Sequence, residues 1–512
     1  MTGIGRRLVV FLCINAFLSF SNWYQDEFVI GAFYEPPLTG ILSKDISIMK
    51  QIRDAHFTVL SGIGDFPSTQ KEMKYRLEVL THIPGLRTYV CDKGNYEHRV
   101  FGRGEYDSTL VQGLINSYRK LKSGLREQMY GYFIGDEPHY NRELKNMLLK
   151  INHFQKPVKE GGDPGKHAWI NLFSNRAKDF WKDYPDNPES RPHPWNCSYD
   201  DGRYRSYIRE AINGNIKVVC FDNYCFTSNA YYTVNPSIRI RQIFFRNYQI
   251  IASESQKAGL PFWAMANCVE HVLITRWDSK KRAVPRVEVD GPADYRTGSK
   301  PDGFSHIPEA QLKFMAHVPV IYGAKGIWWF LYSIARKPPE KKGWYYSNKA
   351  IVDENGLPTE NYPVIQKINR RLEELGPTLM SLEWIGTYHG TAINNMPTTT
   401  DDPASDFMGI PERNLPVISS DTPVIKAVKG RDRRHCAVGL FVVKEKSYYY
   451  LIVMNKSIYS DASFELVFKK KVALISIDRE KYSGSRKIER KIVSLALEIR
   501  PGDIRVVKIR EG

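Results

Sequence analysis

Eight short runs, apolar at consecutive positions, recur along the first two thirds of the chain. They are Val29–Tyr34, Thr58–Ile63, Arg87–Cys91, Gly131–Gly135, Ala168–Phe173, Val218–Phe221, Pro261–Ala266 and Gly326–Tyr332. A strand with no polar face must be covered on both sides, which is the condition of parallel strands lying under helices. Amphipathic stretches fill the intervals: Ser43–Ala55, Asn141–Phe154, Ile238–Lys257 and Pro308–His317, with Leu357–Leu382 as a closing helix. Eight strands interleaved with helices predict a (β/α)8 TIM barrel. The alternative, a doubly wound open sheet, would carry a glycine-rich phosphate loop after the first strand. Glu35-Pro36-Pro37 stands there instead.

The pattern changes further on. Residues 390–424 are rich in Pro, Thr, Asp and Asn, the composition of a linker. Short strands then follow at close intervals: Cys436–Val443, Ser447–Asn455, Ser463–Phe468, Ala473–Ile477, Ile492–Ile499 and Asp503–Ile509. That spacing predicts a small C-terminal all-β sandwich domain. The 512 residues thus divide into a signal peptide (1–21), a barrel (22–385), a linker or excursion (386–425) and the sandwich (426–512).

The signal-peptide reading rests on Arg6 and Arg7 ahead of an apolar run, Leu8–Phe20, which is shorter than a membrane span. Cleavage is expected near Ser21, giving a secreted or periplasmic protein with no membrane span; a retained signal anchor is the alternative. The cysteines are irregularly spaced without a Cys-x-x-Cys pair, which argues against a zinc ribbon. Cys91, Cys220 and Cys268 fall in apolar runs, where a free thiol packs as a small hydrophobe. The net charge of +17 admits an acidic partner, but the basic residues read as spread along the chain, densest at Lys280–Arg282, Arg431–Arg434 and Lys469–Lys471. No nucleic-acid motif is present, so a solvated basic surface and no nucleic-acid partner are expected. The sequence does not fix the oligomeric state.

Barrel enzymes place their chemistry at the C-terminal strand tips. Those tips are Tyr34-Glu35, Asp92-Lys93, Asp136-Glu137, Asn171, Asp222-Asn223-Tyr224, then Asn267 ahead of Glu270-His271, and the aromatics Trp328, Trp329 and Tyr332. Pro138 ends the fourth strand and keeps Glu137 out of helical geometry. The ring is rich in carboxylates, amides and aromatic rings. It holds no His/Asp set of a hydrolytic metal centre and no Gly-x-Ser-x-Gly elbow, so chemistry without metal or cofactor is expected. Paired carboxylates among aromatic platforms suit glycosidic bond cleavage of a carbohydrate substrate.

The Glu137-Pro138 pair after strand four, the stretch Tyr322–Phe330, and Asn355-Gly356-Leu357-Pro358 followed by Ile368-Asn369 together resemble the clan A glycoside hydrolases, in particular the family 42 β-galactosidases. The resemblance covers roughly residues 28–385. It implies an O-glycosyl hydrolase with a retaining two-carboxylate mechanism and Glu137 as acid/base. Asp136 stands where the clan commonly has Asn. The clan's nucleophile is a Glu ending strand seven; Glu270 is the nearest match and Asp222 is the rival. Asp136, Tyr34, Asn171, Tyr224, Asn267 and Trp329 are the expected substrate contacts. A carboxyl separation of ~5–5.5 Å accompanies retention and ~6.5–9.5 Å inversion. Two other readings remain open: a non-catalytic glycan-binding or scaffold protein on a barrel frame, and a polyanion binder resting on net charge alone.

Overall fold

A computed structural model of the chain describes residues 23–63, 69–91, 105–140, 142–174, 201–224, 226–227, 239–240, 244–268, 271–277, 283–285, 308–333, 343–346, 350–353, 355–390, 415–443, 446–458, 460–479 and 482–511. Eight parallel strands form a closed barrel: Val29–Phe33 (β1), Val59–Leu60 (β2), Arg87–Val90 (β3), Met129–Asp136 (β4), His167–Leu172 (β5), Val219–Asp222 (β6), Phe262–Asn267 (β7) and Gly326–Phe330 (β8). They are ordered β1-β8-β7-β6-β5-β4-β3-β2 around the ring. The helices are Leu42–Asp54 (α1), Gln70–Leu80 (α2), Ser108–Arg119 (α3), Ser123–Gln128 (α4), Arg142–Gln155 (α5), Asp201–Asn213 (α6), Phe244–Ala258 (α7), Glu309–Ile321 (α8) and Asn361–Ser381 (α9). The chain packs as two compact units, one around residues 58–220, the other around 221–512 with 27–37 and 51–57.

In the first unit, period-two alternation turns His167, Trp169 and Asn171 of β5 to one side and Ala168 and Ile170 to the other. The first side is the barrel interior. Trp23 stacks on His167 at 4.1 Å between ring centroids, and Tyr89 bonds to the same imidazole. Gly131 is required opposite: a Cβ there would lie 2.0 Å from the His167 carbonyl oxygen.

In the second unit Trp328 points inward from β8 and packs on Trp263 of β7, with centroids 6.0 Å apart. Its indole occupies the space a side chain on β1 would need, since a Cβ at Gly31 would fall 2.1 Å from Trp328 Cδ2. Trp329, one position on, faces the helix layer, where its Nε1–H donates to Asn369 of α9 at 2.7 Å.

The C-terminal domain is an antiparallel sheet of seven strands: Leu382–His389 (β9), Ile425–Lys429 (β10), Cys436–Val443 (β11), Lys446–Asn455 (β12), Ala462–Arg479 (β13), Tyr482–Ile499 (β14) and Ile504–Glu511 (β15). Its order is β9-β11-β12-β15-β13-β10, with β14 on β13. One apolar core collects Leu440, Leu451, Phe464, Leu474, Leu497 and Val507 from across it. Barrel helices hold the sheet through Arg371, which donates to Asp503, Asp478 and the Ile504 carbonyl, and through Thr387, which donates to the Ile321 carbonyl.

Three boundaries differ from expectation. The expected helix from Ile238 begins at Phe244; Arg239–Ile240 pairs instead with Phe226–Thr227, as the alternating Ile-Arg sequence favours. Leu382–His389, placed across the barrel's end and the linker, is the first strand of the sheet. Its pattern was masked by the apolar periodicity of α9 running straight into it. The separate strands expected at Ser463–Phe468 and Ala473–Ile477 are one strand, with a register shift between Val467 and Val472 at the three lysines.

Candidate active site

Each unit carries candidate site residues at its own strand tips. In the first unit β4 carries Asp136 directly opposite Asn171 of β5. The Asn171 side chain is buried; its Nδ2 donates to Asp136 Oδ1 at 2.9 Å, and its Oδ1 accepts from the Cys220 thiol at 3.5 Å. Its carbonyl accepts the N–H of Glu137 at 2.9 Å. Glu137 itself adopts φ 47°, in the left-handed region. A side chain there costs on the order of 1–3 kcal/mol, and such strain concentrates at functional sites. Four described residues other than glycine share this conformation. His56 and Asn215 lie just past the ends of α1 and α6, where left-handed residues ordinarily close helices. Tyr34 and Glu137 are the remaining two, each immediately after a barrel strand.

The loop after Glu137 is clamped by α6. Tyr207 Oη donates to the Pro138 carbonyl at 3.0 Å and accepts the Phe173 N–H at 3.3 Å. Tyr204, one turn earlier, donates to the Phe173 carbonyl at 2.9 Å. Both rings are fully buried. His139 lies 2.8 Å from the Glu143 carboxylate and packs face to face near Phe173. Thus helix α6 fixes the segments after both β4 and β5. Sequence reading missed these tyrosines; the signal was the i, i+3 pair Tyr204/Tyr207, continued by Ile208 and Ala211 on the buried face of the helix.

In the second unit the tips of β1, β6, β7 and β8 bring aromatic rings and polar groups together. Phe330 closes β8 on the inward face, in register with Phe33 of β1 and Asn267 of β7. Its ring centroid lies 6.0 Å from Tyr34, edge to face, and 5.4 Å from Tyr224. Tyr34 and Tyr224 are half-buried and so present part of their surface. Asp222 and Asn267 are buried at the ends of β6 and β7. Glu35, 1% exposed after β1, is a further carboxylate of this rim. Asn223 is structural, donating to the Phe244 carbonyl and accepting from Asn247. Phe330 was legible once Trp328 was known to face inward, because alternate residues share a face.

One expected substrate contact resolves differently. Trp329 is fully buried against α9 and offers no face for a sugar, a correction that follows from the outward side of the β8 pleat. Glu270 lies outside the described residues. Among the described residues no group of three or more His, Cys, Asp or Glu is placed to share a metal ion, and no helix is long and apolar enough to cross a membrane. Cys91, Cys220, Cys268 and Cys436 are buried, and burial pushes the Cys436 thiol up to about 12.

No protein-family model matches the chain, and no curated protein does. Among solved structures the chain is similar in fold to glycoside hydrolases. One is a family 42 β-galactosidase from G. stearothermophilus, at 10% identity and a TM-score of 0.49, covering 96% of this chain and 100% of that one. Another is a family 5 glycoside hydrolase from Bacteroides vulgatus, at 10% identity and a TM-score of 0.48, covering 94% and 89%.

Proposed function

We propose that this protein is a glycoside hydrolase that cleaves O-glycosidic bonds of an oligo- or polysaccharide, with Glu137 as the acid/base. The observation that carries the reading is the left-handed Glu137 at the C-terminal tip of β4, held by Asn171 on one side and by the Tyr207 clamp on the other. A general acid needs this kind of fixed placement at a barrel mouth. In the first step the Glu137 carboxyl gives its proton to the glycosidic oxygen as the C–O bond breaks. A second carboxylate bonds to the anomeric carbon; Glu270 is the residue the clan resemblance assigns, with Asp222 as the rival. Glu137, now a carboxylate, then takes a proton from the water that releases the sugar, so configuration is retained. Tyr34 and Tyr224, half-buried and braced by Phe330 beneath them, supply flat apolar surface for the C–H face of a ring. Synthesis with a signal peptide would place the enzyme outside the cytoplasm, among such substrates.

A panel of nitrophenyl glycosides and polysaccharides tests the reading, with NMR of the anomer first released. Turnover with retention is expected. Inversion would remove the nucleophilic role of the second carboxylate, and tight sugar binding without any turnover would overturn the hydrolase in favour of a binding protein.

A further inference from the structure

The positive charge is not spread evenly. Residues 426–512 hold 21 Lys and Arg against 10 Asp and Glu, 11 of the chain's 17 net charges. The register of the sheet gathers part of this excess on one face. Lys491 of β14 lies opposite Ala473 of β13, which lies opposite Arg510 of β15, which lies opposite Tyr448 of β12. The next row carries Ser476, Lys508 and Tyr450. Residues directly opposed in a sheet share a face, and in the intervening row Leu474 and Ile509 belong to the core and Tyr449 packs against it. The two rows therefore point away from that core.

Lys508 Nζ stands 4.4 Å from the ring centroid of Tyr448 and 5.4 Å from that of Tyr450, and the Arg510 guanidinium lies 5.9 Å from Tyr448. Arg510 and Lys491 are exposed; Tyr448, Tyr450 and Lys508 are half-buried. Among the described residues no carboxylate forms an ion pair with these three cations, and Glu511 is engaged with Tyr449 on the opposite side. At these distances the ring faces attract the cations and keep them beside the tyrosines. The residues between the cations are small: Ala473 separates Lys491 from Arg510, and Ser476 stands beside Lys508. Along a strand the cations repeat at roughly 7 Å, and neighbouring strands are about 4.8 Å apart.

We propose that this face binds an anionic polysaccharide, a carboxylated or sulfated chain whose charges meet Lys491, Lys508 and Arg510 while Tyr448 and Tyr450 contact its rings. The choice of a glycan over another polyanion rests on the hydrolase reading. Binding needs no turnover, so the two ideas fail separately.

The test uses the full chain carrying Glu137→Gln, titrated calorimetrically with polygalacturonate, dextran sulfate, neutral dextran, duplex DNA and phosphatidylserine vesicles at about 0.15 M salt. The two anionic polysaccharides are expected to bind and neutral dextran is not. Adding Lys508→Gln with Arg510→Gln should weaken binding about tenfold, whereas Lys429→Gln with Lys469→Gln, the same charge loss elsewhere in the domain, should change it less than about twofold. Tyr448→Ala should weaken binding at unchanged charge. The proposal is overturned if both charge pairs weaken binding equally, if no anionic polysaccharide binds, or if DNA or vesicles bind as tightly as the glycans.

Discussion

The main-chain N–H of Glu137 donates to the carbonyl of Asn171 at 2.9 Å, while the Asn171 amide donates to Asp136 at the same distance. One buried asparagine on β5 thus holds both carboxylate residues of the β4 tip. Asn171→Ala keeps the carbonyl bond but leaves Asp136 without this donor, at a cost of about 1–3 kcal/mol. The expected result in steady-state kinetics is a fall in kcat of about tenfold or more with KM little changed, the signature of an interaction needed in the transition state. A raised KM at normal kcat would instead make Asn171 a substrate contact.

Tyr207 is expected to position the acid without touching substrate. Tyr207→Phe removes the hydroxyl that joins Pro138 to Phe173, for a stability loss of about 1 kcal/mol. The alkaline limb of the pH–rate profile, where the general acid loses its proton, should also change, because the orientation of Glu137 changes. A drop in melting temperature with an unaltered profile would reduce the tyrosine to a packing role.

Trp329 and Asn369 form a separate test, of placement. Asn369→Leu strips partners from the buried Trp329 Nε1–H and the Ala55 carbonyl, which should cost roughly 2–4 kcal/mol in denaturant unfolding. Below the melting transition glycoside binding should be unaffected, since this tryptophan faces the helices. Tyr224→Ala, at a half-buried ring of the rim, should do the reverse, raising KM with a smaller effect on stability. Weakened sugar binding in the Asn369 variant would place Trp329 back in the mouth.

His167 makes stability depend on pH. Burial first, and then the charge of Lys217, hold its imidazole down to about 3 from an ordinary 6.5. Between those values the unfolded chain binds a proton that the folded chain refuses. Its contribution is therefore complete above pH 6.5 and is lost as pH falls toward 3, on the order of a few kcal/mol. Denaturant midpoints should decline from pH 7 to pH 4, and His167→Phe should flatten that slope. A slope identical in the variant would show that another group controls acid unfolding.

All eight barrel strands were legible in the sequence because each is apolar on both faces, a pattern that little else produces. Helix α5 was legible from Leu144, Met147, Leu148 and Ile151, all facing the core. The site was less so. Nothing in residue type distinguishes Trp328 from Trp329; only the pleat decides which enters the barrel and which bonds Asn369. The clamp on Glu137 comes from Tyr207, about seventy residues away in sequence, a distance local patterns do not span. The placement of Glu137 at the end of a strand could be read, but its left-handed backbone could not.

The central claim is that Glu137 delivers the proton to the leaving oxygen. Its direct measurement is kcat/KM for Glu137→Gln on two substrates of one sugar, with an alkyl and with a dinitrophenyl leaving group. The alkyl glycoside needs protonation, so its rate should fall by about 10²–10⁴-fold. The dinitrophenolate leaves without help, so its bond-breaking step should be nearly spared, in a protein whose melting temperature is unchanged. Equal losses on both substrates, or near-normal activity on the alkyl glycoside, would contradict the assignment.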